Sequence, residues 1–223
     1  MRADSDIGPS SSRVIAARLL TTANQEGLPQ RTAWEGAQPV VFCSDWQGQN
    51  ADPQRETEVR LLWSREFLFL RFRARYREIH VFPEANTRRD QLWLRDVAEV
   101  FIQPDTDGPS RYKELEISPN GSWLDLDINL DLDIDEGRKA DLQCALRSKV
   151  TVNALTRVWV AELAIPMSGL TGRFHPEAAW KVNFFRVEGP EPTRFYSAWR
   201  PTHTPQPNFH VPEAFGELRF SSG

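Results

Sequence analysis

The chain has 223 residues, enough to bury a substantial single core. Its formal charge of −4, with no basic block, argues against a nucleic-acid partner. Sixteen prolines and twelve glycines cut the chain into short pieces and argue against a helical bundle.

Only four of the twenty-seven cationic residues are lysine. An arginine face for anions and the codon bias of a GC-rich genome both account for this, and the scatter of the arginines favours the second. The first segment, residues 1–12, holds Asp, Ser, Gly and Pro with nothing to bury and reads as a flexible tail. It has no apolar signal core, and no later apolar run is long enough to span a membrane. As written, the chain reads as cytoplasmic, or as a secreted or periplasmic protein that has lost a leader. Residues 13–223 read as one domain.

From Trp34 onward the pattern is β. Residues 57–63 alternate, with Thr57, Val59, Leu61 and Trp63 on one face. Ser64-Arg65-Glu66 turns the chain into residues 67–76, where Leu68, Leu70, Phe72 and Ala74 oppose Phe69, Arg71, Arg73 and Arg75. That predicts a hairpin with one wet side. Val97 to Gln103 is the next strand. Lys113–Ile117 and Trp123–Ile128 flank Pro119-Asn120-Gly121, a strong hairpin signal. Val158–Ile165, Lys181–Glu188 and Phe215–Phe220 supply three more, and Pro166–Leu170 is a helical turn at most. The expected fold is all-β, an antiparallel two-sheet sandwich of jelly-roll type with minimal helix. Cys43 and Cys144 sit among apolar residues and are expected to be free thiols.

Four features carry candidate chemistry. Trp93 precedes a strand whose interior holds Glu99. A flat apolar ring beside an acceptor suits a sugar, with C–H groups on one face and hydroxyls at its edge. The alternative makes Trp93 an edge-of-core residue and pairs Glu99 with an arginine, because burying a lone charge is costly. Second, Asp125, Asp127, Asp131, Asp133 and Asp135 alternate with apolar residues, about 7 Å apart on one strand face. A solvated edge explains them better than a metal site does. Third, Asp105-Thr106-Asp107-Gly108 resembles half a calcium loop but lacks the downstream glutamate, so an ordinary turn competes with a metal. Fourth, the proline-stiffened run 195–212 carries Trp199, Asn208, Phe209 and two histidines, and loops of this length are usually functional or disordered. No nucleophile elbow, helical histidine pair or phosphate-cradling glycine loop is present, so no catalytic residue is assigned.

The ordered segments 92–105, 112–121, 159–166, 180–188 and 197–218 resemble the family 9 carbohydrate-binding modules, in particular the stand-alone bacterial family 9-like proteins. The resemblance spans about Trp34 to Phe220. It implies a non-catalytic β-sandwich related to the DOMON superfamily, holding a terminal sugar between two aromatic rings and serving breakdown of xylan- or cellulose-type polysaccharides. The first ring falls on Trp93; the second falls on Phe209, where xylanase-linked members carry tryptophan. The resemblance places the carboxylate of the following strand at Glu99 and a further polar contact at Glu116. Gln206 or Asn208 supplies an amide, and Arg186 and Trp199 join the candidate set. It implies a structural calcium as well, for which Asp105 and Asp107 are the candidates. Some relatives of this sandwich carry b-type haem, for which Met167 is the only internal methionine, and a structural domain with a vestigial cleft is a third reading.

Overall fold

The computed structural model describes residues 12–21, 23–133 and 139–221; the expected tail, Ser12 apart, lies outside them. In chain order the strands are β1 (Arg13–Arg18), β2 (Val40–Phe42), β3 (Thr57–Trp63), β4 (Phe67–Arg75), β5 (Val97–Gln103), β6 (Arg111–Ile117) and β7 (Trp123–Asn129). β8 (Lys139–Asp141), β9 (Arg147–Asn153), β10 (Val158–Pro166), β11 (Trp180–Glu188), β12 (Phe195–Ala198) and β13 (Gly216–Phe220) follow, with one helical turn, α1 (Met167–Leu170), after β10.

The strands form one curled path, β8-β7-β6-β5-β11-β13-β1-β3-β4-β10-β9, with β12 on β11 and β2 on β3. The fold is all-β, as the alternation predicts, but it is not antiparallel throughout. β1 runs parallel to both its neighbours, with Val14 beside Leu218 of β13 and Ala17 beside Leu62 of β3. Six residues thereby join the two halves into a single mixed sheet, where separate antiparallel sheets were expected. The halves close on each other over one large core. Phe72 of β4 meets Phe184 of β11 edge-on at 6.3 Å, and Trp63 of β3 meets Phe220 of β13 at 5.9 Å. Each such fully buried ring contributes about 1.5–3 kcal/mol of burial.

The local signals work as expected. Ser64 closes the β3–β4 turn, its Oγ accepting from the amides of Glu66 and Phe67. The apolar face of that hairpin is buried. Its other face is not wholly wet: the 3-10 turn Arg31–Gly36 lays Trp34 over Leu62, Phe69 and Ala164 as a small satellite core. At the β6–β7 turn Gly121 takes φ +84°, where a β-carbon would lie 2.2 Å from Asn86 Oδ1. Cys43 and Cys144 are free thiols, Cys144 buried in the main core.

The aspartate ladder is corrected. β7 lies between β6 and β8, so it is no solvated edge. Asp125 is buried, 3.0 Å from Arg88 Nε and accepting from the Cys144 amide at 2.8 Å. Asp127 lies 2.9 Å from Lys113 and 3.2 Å from Arg111. The strand ends at Asn129; Asp131 and Asp133 are exposed beyond it, and Asp135 lies outside the described residues.

A buried ion pair ties β11 to the loops flanking β3 and β4. Arg186 is 1% exposed, lies 2.8 Å from Glu188, and donates to the carbonyls of Arg55 and Arg75. Removing the cation leaves Glu188 buried with Arg55 at 3.7 Å as its remaining ionic partner. Arg186→Ala is expected to cost about 3–5 kcal/mol in urea unfolding. Arg186→Ala combined with Glu188→Leu is expected to recover part of that loss; a double mutant less stable than the single contradicts the pairing.

Candidate functional site

β5 separates two apolar faces. Ala98, Val100 and Ile102 enter the main core, while Val97 and Phe101 join a second cluster on the outer face. Period-2 alternation puts Glu99 between those two, on the outer side. The ladder then sets its neighbours: Glu99 lies opposite Glu116 of β6 and Phe185 of β11, and Phe101 lies opposite Glu114. This floor of carboxylates and rings would be open to water if nothing covered it.

Two loops and two short strands wall it. Trp93 comes from a 3-10 turn, Leu92–Leu94, entered through Gln91 at φ +57°. The turn is anchored by Asp96, 1% exposed, whose carboxylate accepts from the amides of His80 (3.1 Å) and Gly189 (2.7 Å). Burial pushes the Asp96 carboxyl up from its ordinary range, and those amides and Arg186 oppose the shift. The run 207–210 crosses the outer face, with Asn208 Oδ1 accepting from the His210 amide at 3.0 Å. Phe209 stacks on Phe185 at 4.2 Å and 13°, and His210 stacks on Phe101 at 5.4 Å. Tyr112 Oη hydrogen-bonds His210 Nδ1, which lies 3.9 Å from Glu114. Tyr196 of β12 and Lys139 of β8 complete a cavity of about 190 Å³.

Its electrostatics are unusual for a buried surface. Glu99, Glu114 and Glu116 are 3%, 2% and 0% exposed. Glu99 Oε1 has no hydrogen-bond partner among the described residues, and the Glu116 carboxyl shares a hydrogen bond with that of Glu114. Burial drives the Glu99 and Glu116 carboxyls well above the ordinary range. Glu114 adds to both shifts and Glu99 to that of Glu116, while Lys139 pulls both back. The Lys139 ammonium lies over the Trp93 ring, 4.4 Å from its centre.

Of the residues picked out in the sequence, Trp93, Glu99, Asn208 and Phe209 meet at this cavity. Glu116 stands beside Glu99 in the ladder, fully buried, and does not line it. Arg186 and Trp199 are corrected. Arg186 shares its strand face with Val182 and Phe184 and is spent on Glu188 and backbone carbonyls. Trp199 packs on Phe184 in the main core, filling space a β-carbon at Gly216 would need. Gln206 is exposed and lies off the cavity. Met167 is buried in the main core. Asp105 accepts from the Trp180 indole at 3.0 Å, and Asp107 lies 3.2 Å from Lys113. Among the described residues no group of three or more His, Cys, Asp or Glu side chains is placed to hold a metal.

Sequence reading missed Glu114 and Lys139, and held Tyr196 and His210 only as part of the run 195–212. Glu114 was open to inference, two residues before Glu116 and so on the same face. Nothing in the sequence marks Lys139.

The raised carboxyls make stability depend on pH. The folded state holds protons that the unfolded chain releases. Their stabilisation is therefore complete below the ordinary carboxylate range and is lost as pH rises through the raised values. Glu99, Glu114 and Lys139 all bear on this window. Glu116→Gln is expected to raise the melting temperature at neutral pH and flatten its decline above acidic pH. Superimposable melting-temperature curves for mutant and parent contradict this.

No known family profile matches the chain. A protein of Arthroderma benhamiae described as an extracellular protein is 25% identical over 179 residues, covering 75% of this chain and 80% of that one. A Bacteroides uniformis structure, of a protein proposed to bind carbohydrate, matches with a TM-score of 0.72 at 17% identity. It covers 94% of this chain and 99% of its own. A family 9 carbohydrate-binding module from Caldicellulosiruptor kristjanssonii matches in two complexes. With cellotriose the TM-score is 0.63 at 13% identity, over 93% of each chain. With glucose it is 0.62 at 14% identity, over 94% of this chain and 95% of that one. The fold is that of the family 9 carbohydrate-binding modules, as the ordered sequence segments led one to expect.

Proposed function

We propose that the chain is a non-catalytic carbohydrate-binding module that holds one terminal sugar residue in the Trp93–Phe209 cavity. The observation that carries this reading is a cavity walled by aromatic rings above the buried carboxyls of Glu99 and Glu114, with Glu99 Oε1 lacking a donor among the described residues. A sugar supplies both complements: C–H faces for the rings and hydroxyl donors for the carboxylates. The fold neighbours that hold glucose and cellotriose support it.

In this reading Trp93 offers its ring to one face of the sugar, using large rigid area at low entropic cost. Phe209, backed by Phe185, gives a second apolar wall that cannot swing away freely. Glu99 and Glu114 accept from hydroxyls, and Asn208 and Lys139 at the rim orient the ring. The volume equals that of about six waters, which suits one sugar ring better than an enclosed chain. Breakdown of xylan- or cellulose-type polysaccharides is the setting we assign. Calcium has no part in this reading, since Asp105 and Asp107 already face donors of the protein.

Trp93→Ala is expected to weaken saccharide binding by about 2 kcal/mol or more, roughly thirtyfold in Kd, with an unchanged melting temperature. Calorimetric titration with glucose and with cello- and xylo-oligosaccharides measures it, and chromatography of the recovered ligand is expected to show it uncut. Unchanged affinity in the mutant removes the site, and cleaved ligand removes the non-catalytic reading.

A further inference from the structure

Among the described residues, carboxyl groups outnumber cations around the cavity. Glu99 and Glu114 line it and Glu116 abuts Glu99 across the ladder, so three carboxylates gather in one buried patch. Like charges directly opposite on neighbouring strands are destabilising, and buried charge ordinarily demands a partner. Among the described residues the facing cations are Lys139 and, when protonated, His210. Lys139 places its ammonium over Trp93 at the rim. Among the described residues Glu99 Oε1 is left without a donor, while the Glu114 and Glu116 carboxyls hydrogen-bond each other.

We infer that the cavity selects a cationic saccharide, a hexosamine with a free amine, over its neutral and N-acetylated counterparts. This deepens the saccharide-binding reading and rests on it. A hydroxyl brings one donor and no charge, and it needs acceptors and donors in turn. An ammonium brings three donors, no acceptor to satisfy, and the positive charge the patch lacks. The walls suit such a ligand too, since aromatic faces attract both sugar C–H groups and cations. Trp93 already holds one ammonium in this way, that of Lys139. An N-acetyl group cancels the charge and adds bulk in a space sized for one ring.

Pairing with an ammonium favours the ionised carboxylates, so binding at neutral pH releases protons. A neutral sugar provides no such drive.

The test is calorimetric titration of the full chain at neutral pH and low salt with glucosamine, glucose and N-acetylglucosamine. The galacto-configured trio is run in parallel, in buffers of different ionisation enthalpy. Within a configuration that binds, the amino sugar is expected about tenfold tighter than the other two, with net proton release. Glu99→Gln, or Glu114→Gln should the first fail to fold, is expected to bring the ratio of amino to neutral sugar close to one. Neutral or acetylated sugars binding as well as the amine overturn the inference and leave the saccharide reading standing. Absence of binding by both trios and by cello-oligosaccharides and chitosan oligosaccharides overturns both. Spermidine binding as tightly as the amino sugars also overturns both, since the site would then read ammonium and not sugar.

Discussion

Strand Val97–Gln103 is buried at all seven positions, and the rest of the site follows from that. A strand covered on one face can put its polar residues in water; this one cannot. Its inner side feeds the main core through Ala98, Val100 and Ile102. Its outer side carries Glu99 between Val97 and Phe101, so the loops that cover those two residues also cover a carboxylate. The cavity is what remains where that cover is incomplete.

Elsewhere the molecule treats buried charge conventionally. Arg186 meets Glu188, Arg88 meets Asp125, and Asp96 is held by two backbone amides. Each carboxylate there has its complement within the chain. The Glu99–Glu114–Glu116 patch breaks the pattern on the same scale of burial. A sheet selected only for stability would place apolar residues at these positions, as it does at the adjoining Leu124 and Leu126. Strain of this kind collects at binding sites because the ligand supplies what the fold withholds.

Much of this was legible in the sequence, for a physical reason. Strands with one well-buried face, such as β3 and β4, write their period directly into the residue order, and the sequence pattern bounds them to within a residue or so. β9 was not read because Arg147–Asn153 is an almost wholly exposed edge with little apolar contrast. β2, β8 and β12 are three or four residues long, too short to show a period, and β1 takes its place from partners far along the chain. The same limit shaped the site. Trp93 and Glu99 are close in sequence and were paired easily. Phe209 stands out in its loop, but its pairing with Trp93 comes only through resemblance, and Lys139 depends on a strand pairing that no local signal announces. Arg186 was misplaced although alternation alone sets it opposite Phe185 and Val187, which do lie on the outer face.

The parallel seam at β1 also orders events in time. Residues 13–16 find their partners in residues 217–220, so the two halves of the sheet are stitched together by segments some two hundred positions apart. On a ribosome, β3 and β4 can form their hairpin early, but the first strand has half its ladder missing until the last one emerges. Until then the row of backbone groups from Arg13 to Ala16 stands open as an edge, and the two-sided core cannot close. The seam is therefore among the last pairings that synthesis makes available, and it falls at the oldest strand.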